Sequence, residues 1–255
     1  MFSFLQRNWP AWMPRFARPT SSAEVLAPSL SPDLVSRLSH EMRTSLTGIV
    51  GYAEFIEEGA EPAMVNFTAK IIRESSQALA RSLQSFVDLH QLHTAPSAVV
   101  CSEIAVASLM HDLVQEHQSQ ALARDVSLIF NATEHVQSMV LCSDRQRFTH
   151  MLEALLAHAL NSATRSSVVV LGLGWHSDQQ AFEVALYELG AAVDPEQSRL
   201  LQQFWHDPHY VYQLQAGPGL SLALAKALMH SLQGRAEFKS VRGQGDQLRV
   251  WLPQR

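Results

Sequence analysis

Leu34, Leu38, Met42, Leu46, Ile49, Ala53 and Ile56 follow one another at intervals of three and four residues. That spacing places all seven on one stripe of a single long helix, with the regularity of a coiled-coil seam. Ser31-Pro32-Asp33 supplies a start, with proline near the first turn and an acid beside it. The helix is expected to run to about Glu58, where Gly59-Ala60-Glu61-Pro62 reads as a turn. A second helical pattern follows, with Phe67, Ile71, Ile72, Leu79, Leu83, Phe86 and Leu89 on its apolar side and Lys70, Arg73, Glu74 and Arg81 outside. Two helices joined by so short a connection pack antiparallel. A lone hairpin cannot cover both stripes, so two copies are expected to associate as a homodimeric four-helix bundle.

The totals restrict the rest. At 255 residues the chain has room for one large domain or two modest ones. Its 47% hydrophobic and 17% charged residues describe an ordinary cored protein, and a net charge of -5 argues against a nucleic-acid surface. Cys101 and Cys142 do not make a disulfide framework, so a reducing cytosol is the default compartment. No apolar run reaches the length of a bilayer span. Residues 1–30 carry Arg7, Arg15 and Arg18 among Phe2, Phe4, Trp9, Trp12 and Phe16, with no acid before Glu24. Aromatics with arginines suit a membrane surface, but Pro10 and Pro14 interrupt a continuous amphipathic helix. A mobile tail is the favoured reading and peripheral membrane contact the other.

His40 lies off the first stripe, so its ring is expected to face solvent or a partner. Glu41 is its neighbour, and Thr44 stands one turn on, on roughly the same face. A histidine near its ordinary pKa presents a neutral ring nitrogen as a nucleophile. An adjacent carboxylate can take up the ring proton as a bond forms. A bare His-Glu pair is more often an ordinary solvated helix face, but here the surrounding string is informative.

Ser39-His40-Glu41-Met42-Arg43-Thr44-Ser45-Leu46-Thr47-Gly48-Ile49 closely resembles the phosphoacceptor box of two-component sensor histidine kinases, His-Glu-x-Arg-Thr-Pro-Leu-x-x-Ile. His40, Glu41, Arg43, Thr44, Leu46 and Ile49 match it, and Ser45 replaces the usual proline. A proline there would remove a helix hydrogen bond and kink the helix. The resemblance implies that His40 carries a phosphoryl group, that Glu41 assists its transfer, and that Thr44 orients water against a phosphorylated response regulator. It also implies that the partner is a response-regulator receiver domain. Many members of that family are membrane-anchored, and the lack of an apolar span leads us to expect a cytoplasmic or membrane-peripheral protein.

Beyond the linker Thr94–Ser97 the pattern alternates. Helices are expected over Val106–Ala123, Asp144–Ala163 and Leu220–Leu232, and strands over Val126–Phe130 and Ser138–Cys142. Val168–Trp175 and Ala181–Tyr187 read as an antiparallel pair, and Ala236–Ser240 with Gln247–Leu252 as a closing hairpin. Helices gathered on one face of a mixed sheet make an α+β sandwich. Order and spacing resemble the histidine-kinase ATPase domain. The expected division is a tail over 1–30, a dimerisation and histidine phosphotransfer domain over 31–95, and an ATP-binding domain over 99–255.

The resemblance implies an ATP and magnesium site, and at that site the sequence departs from the pattern. In the family's Asp-x-x-Arg-Leu-x-Gln-Val-Leu-x-Asn-Leu-Leu-x-Asn-Ala helix, Asp144, Arg147, Leu152, Leu155, Leu156 and Ala159 fix the register. The two asparagine slots then fall on Ala154 and His158, and Asn161 fills the usual lysine slot. Magnesium wants oxygen ligands, and an imidazole nitrogen suits zinc or copper better. The Asp-x-Gly-x-Gly box that receives adenine reads Glu188-Leu189-Gly190-Ala191-Ala192. Phe204 suits the lid phenylalanine. Gly217-Pro218-Gly219-Leu220 keeps two glycines before a helix, a turn that can cradle phosphate through backbone amides. His90 and His93 sit at i,i+3 without a third ligand, and no metal is assigned to them.

Three readings follow. The first is a relay protein whose His40 exchanges phosphate with a regulator aspartate while autokinase activity is weak or lost. The second is a divergent ATP-dependent kinase, and the third a dimeric module that binds a regulator or kinase without chemistry.

Overall fold

The structure, a computed structural model, describes residues 32–94, 98–189, 195–206, 219–241 and 245–254. The aromatic and basic tail lies outside the described residues, as do Gly190 and Gly217. The first two elements are α1 (Pro32–Glu57) and α2 (Pro62–Thr94), packed along each other as a hairpin. Gly59 turns the chain between them at φ +97°, a left-handed conformation that glycine adopts without strain. Gly48 lets the helices approach closely, since a Cβ there would sit 3.1 Å from the Ser75 hydroxyl. Leu38, Met42, Ile49, Ala53 and Ile56 of the first stripe are only half-buried, and Leu46, Val50, Phe55 and Phe67 remain 43–56% exposed. One hairpin does leave its apolar surface uncovered.

The chain continues as β1 (Ser102–Ala105), α3 (Val106–Ala123), β2 (Ser127–Ala132), β3 (Val140–Ser143), α4 (Arg145–Ser162), β4 (Val168–His176), β5 (Ala181–Leu189), α5 (Pro195–His206), α6 (Gly219–Ser231), β6 (Arg235–Val241) and β7 (Gly245–Pro253). Five strands form a mixed sheet in the order β2-β4-β5-β7-β6, parallel only between β2 and β4. β1 and β3 make a separate antiparallel pair. The sequence pattern finds the long elements and misses β1, four residues of which only Ile104 is buried. It also passes over α5, whose buried Leu201, Phe204 and Trp205 make one side of an amphipathic turn and a half.

Strand alternation sorts the sheet into two faces. Leu171, Leu173, Val184, Leu186, Leu248 and Val250 share a core with Leu152, Leu155 and Leu156 of α4 and Leu222, Leu224 and Leu228 of α6. Each such side chain contributes about 1.5–3 kcal/mol on burial. The opposite parity carries Glu183, 1% exposed, which accepts a hydrogen bond from the His176 ring and lies 3.7 Å from Arg249 Nε. The bond to Glu183 raises the His176 pKa, and these partners offset the cost of burying a carboxylate.

The hairpin is not isolated. α2 packs against α6, with Leu89 fully buried and Leu38, Phe86 and Leu92 joining the same core. His150 of α4 adds a 3.5 Å contact to Asp88 of α2. Asp144 caps α4 by accepting the Arg147 backbone N–H at 3.0 Å, and also accepts the Val100 N–H at 3.2 Å, fixing the segment that leaves the hairpin. Contrary to the expectation for two cysteines, Cys101 and Cys142 are disulfide-bonded, with Cα atoms 5.8 Å apart. The β1–β3 register makes them diagonal neighbours, a proximity that 41 residues of separation conceal in the sequence.

Candidate functional site

The α1 helix presents His40 to solvent, with Arg43 and Thr44 exposed one turn on. The Thr44 hydroxyl donates to the His40 carbonyl at 3.0 Å, the usual local bond of a helical threonine. Glu41 points elsewhere. One of its oxygens accepts the Ser82 hydroxyl of α2 at 2.6 Å, and the other accepts the Leu220 backbone N–H at 3.3 Å. Leu220 is in the first turn of α6, where the N–H groups lack partners within the helix. A Cβ on Gly219, which has φ +32°, would stand 3.5 Å from the same Glu41 oxygen. Gly219 and Leu220 therefore stand against Glu41 of the acceptor string. Sequence reasoning missed Ser82 and Leu220, which lie 41 and 179 positions from Glu41.

Of the other sequence-derived positions, His158 and Asn161 lie in the last turns of α4 and Glu188 at the end of β5. Ala154 is 8% exposed and offers no polar atom. Burial drives the His158 pKa down to about 4, so its imidazole is neutral near pH 7. Ser162, one turn on, donates its hydroxyl toward the His158 carbonyl at 3.1 Å and Glu188 at 3.3 Å. Burial, followed by the nearby Asp246, raises the Glu188 pKa, while hydrogen bonds from Ser162 and Thr164 oppose the rise. Asn161 is exposed. Phe204 is fully buried in α5, beneath a Lys226 ammonium 4.7 Å from its ring centre that also donates to its carbonyl.

These groups do not fit magnesium. One asparagine slot holds a methyl, the other the half-buried imidazole of His158, and a hard cation prefers oxygen. Among the described residues no three His, Cys, Asp or Glu side chains group to hold a metal; the side chain of His93 lies outside them. No helix among the described residues is long and apolar enough to cross a membrane.

Two family profiles match the chain. Residues 33–95 match the His Kinase A (phospho-acceptor) domain, and residues 143–255 match the histidine kinase-, DNA gyrase B-, and HSP90-like ATPase. A circadian input-output histidine kinase, CikA, from Synechocystis is 25% identical over 93% of this chain and 32% of its own length. The sensor protein DivL of Caulobacter vibrioides is 28% identical over 92% of the chain and 29% of its length. The chain thus spans about a third of the length of these curated relatives. The fold is shared with a solved complex of histidine kinase ThkA and response regulator TrrA, at TM-score 0.66 and 14% identity, covering 89% of this chain and 62% of that one. It is shared also with the Acinetobacter baumannii histidine kinase AdeS, at TM-score 0.63 and 16% identity, covering 84% and 98%. On the strength of both domain matches, this chain belongs to the two-component sensor histidine kinase family.

Proposed function

We propose that this protein is a phosphorelay component in which His40 exchanges a phosphoryl group with the aspartate of a response-regulator receiver domain. The observation carrying this reading is a contrast within one chain. His40 is exposed in an acceptor string that keeps its reactive residues, while the two asparagine slots hold Ala154 and, at the one the family uses for magnesium, a neutral His158. Magnesium carries much of the charge stabilisation in phosphoryl transfer from ATP. Loss of its ligand at position 158 removes several kcal/mol, at tenfold in rate for each ~1.4 kcal/mol, so autokinase activity is weak or lost.

In the proposed exchange the unprotonated ring nitrogen of His40 attacks phosphorus of the aspartyl phosphate. The P–O bond to the aspartate breaks, and its electron pair leaves with the carboxylate. The proton on the other ring nitrogen passes to Glu41, leaving a neutral phosphohistidine. Arg43 adds positive charge near the incoming phosphate, and Thr44 orients water for the hydrolytic direction. Two chains pair through the exposed Leu46 and Val50 side of the hairpin, where an open groove of about 630 Å³ runs along α1.

A divergent ATP-dependent kinase is the second reading, favoured by Glu188, which keeps a carboxylate at the adenine position, and by the ATPase profile match. Labelled Mg-ATP and a labelled receiver phosphate, each supplied to wild type and to His40→Ala, separate the readings. The relay predicts label on wild type from the receiver alone. Label from Mg-ATP that vanishes in His40→Ala establishes the kinase instead. Label from neither leaves a scaffold that binds without chemistry.

A further inference from the structure

Glu41 is split between two parts of the molecule. Its Oε2 is held from the bundle side by Ser82, and its Oε1 is held by the backbone N–H of Leu220 on the α/β side. The resemblance to histidine kinases makes the Gly219 turn a phosphate cradle, but here a carboxylate of the same chain engages it. Glu41 is also the residue beside His40, and a carboxylate with both oxygens engaged is poorly placed to take up a ring proton. The contact is reinforced away from His40 by buried Leu89, by Phe86 and Leu92, and by the Asp88–His150 pair.

We propose that Glu41 is an autoinhibitory latch, with Ser82 as the residue that positions it. While latched, it ties α6 to the acceptor helix and withholds the carboxylate from His40. Release of the Leu220 N–H must precede phosphoryl exchange. On this account the ATPase-like fold is retained as a docking body whose helix end answers Glu41. The functional half of this inference rests on the relay reading above, but the latch itself does not.

Leu220 offers a direct reporter. Its amide is in the first turn of α6 and has no acceptor within the helix, so slow hydrogen exchange there reports Glu41. Exchange is to be measured by NMR on the full chain for wild type, Glu41→Ala, Ser82→Ala and Ser82→Thr. The latch predicts that Glu41→Ala speeds Leu220 exchange roughly tenfold, the scale of one charge-assisted hydrogen bond, while Leu224 and Leu228 are unchanged. Ser82→Ala produces a smaller rise at Leu220, and Ser82→Thr, which keeps the hydroxyl, restores the wild-type rate. Unprotected Leu220 in wild type overturns the proposal. So does a Ser82→Ala effect spread through α1 and α2 without a rise at Leu220, which marks Ser82 as merely structural.

Potassium phosphoramidate, a direct histidine phosphoryl donor, supplies the second readout, with His40→Ala as the blank. The latch predicts several-fold faster His40 labelling in Ser82→Ala than in wild type, reversed in Ser82→Thr, and equal rates overturn the inhibitory role. Absence of label on His40 in every variant defeats the relay reading, whereas the exchange data still decide whether the latch exists.

Discussion

The acceptor helix and α4 match parts of the same family pattern, yet the acceptor string keeps its polar residues and the two asparagine slots of α4 do not keep theirs. His40, Arg43 and Thr44 stand on the exposed side of α1, where packing neither demands nor forbids them. Ala154 is buried on α4 among Leu152, Leu155, Leu156 and Ala159 of the core, and His158, one turn on, is half-buried. A polar ligand there carries a burial cost that only a bound metal or nucleotide offsets. Once that ligand is dispensable, a methyl at 154 costs the fold nothing. Fold and ligand residues are therefore separable at a buried position, where the leucines hold the sandwich whatever stands at 154.

If the α/β unit serves as a docking body, its integrity should matter more than either asparagine slot. Gly245→Ala tests this with the largest expected effect. Gly245 begins β7 at φ +90°, and an added Cβ would lie 1.8 Å from the backbone oxygen of Glu188. No side-chain rotation relieves a clash with backbone, and the left-handed conformation adds strain. A loss of about 3 kcal/mol or more is expected, read as a fall in the urea midpoint. Ala154→Ser, at the first asparagine slot of the family pattern, should by comparison stay within about 1.5 kcal/mol of wild type. Equal losses in the two variants would break the distinction between fold-bearing and ligand positions.

His158 sharpens the same contrast through pH. Its pKa of about 4 in the folded state lies below the ordinary 6.5, so the unfolded chain binds the extra proton first. This contribution is fully present above pH 6.5 and is lost as pH falls from there toward 4. The difference corresponds to about 3 kcal/mol. His158→Leu should remove that part of the acid slope of unfolding free energy, leaving the slopes of the carboxylates. An unchanged slope between pH 6.5 and 4 would show that His158 is protonated without penalty, and thus open to solvent. His176 acts oppositely: Glu183 raises its pKa, so its contribution is present below pH 6.5 and declines as pH rises through the folded value.

Helical periodicity from Leu34 to Leu89 gave the hairpin because each apolar residue recurs on one face and neither helix needs a distant partner to be recognised. The long strands and α4 are equally legible, and Asp144, a register mark in the sequence, is the residue that caps α4. β1 was not, since four residues with one buried side chain carry no period. The Cys101–Cys142 bond and the Glu41 contacts to Ser82 and Leu220 were hidden for another reason. They join positions far apart in the chain, and nothing local in either partner announces the other. The acceptor string could be read as a candidate site because its residues are consecutive; what holds Glu41 could not.

The smallest effect is expected within the acceptor helix itself, at Gly48. Glycine in a helix interior costs roughly 0.5–1 kcal/mol relative to alanine, so it persists at position 48 only if something requires the missing Cβ. The neighbour is the Ser75 hydroxyl, 3.1 Å from where that Cβ would be, at the end of a side chain free to rotate. Gly48→Ala alone should therefore be close to neutral, because the propensity gain is spent on moving Ser75. Paired with Ser75→Ala, which clears the space, it should stabilise the hairpin by about 0.5–1 kcal/mol, measured by thermal unfolding of the full chain. A double variant no better than the single one would mean that the hydroxyl never limited the approach of α1 to α2, and that backbone contact sets their spacing.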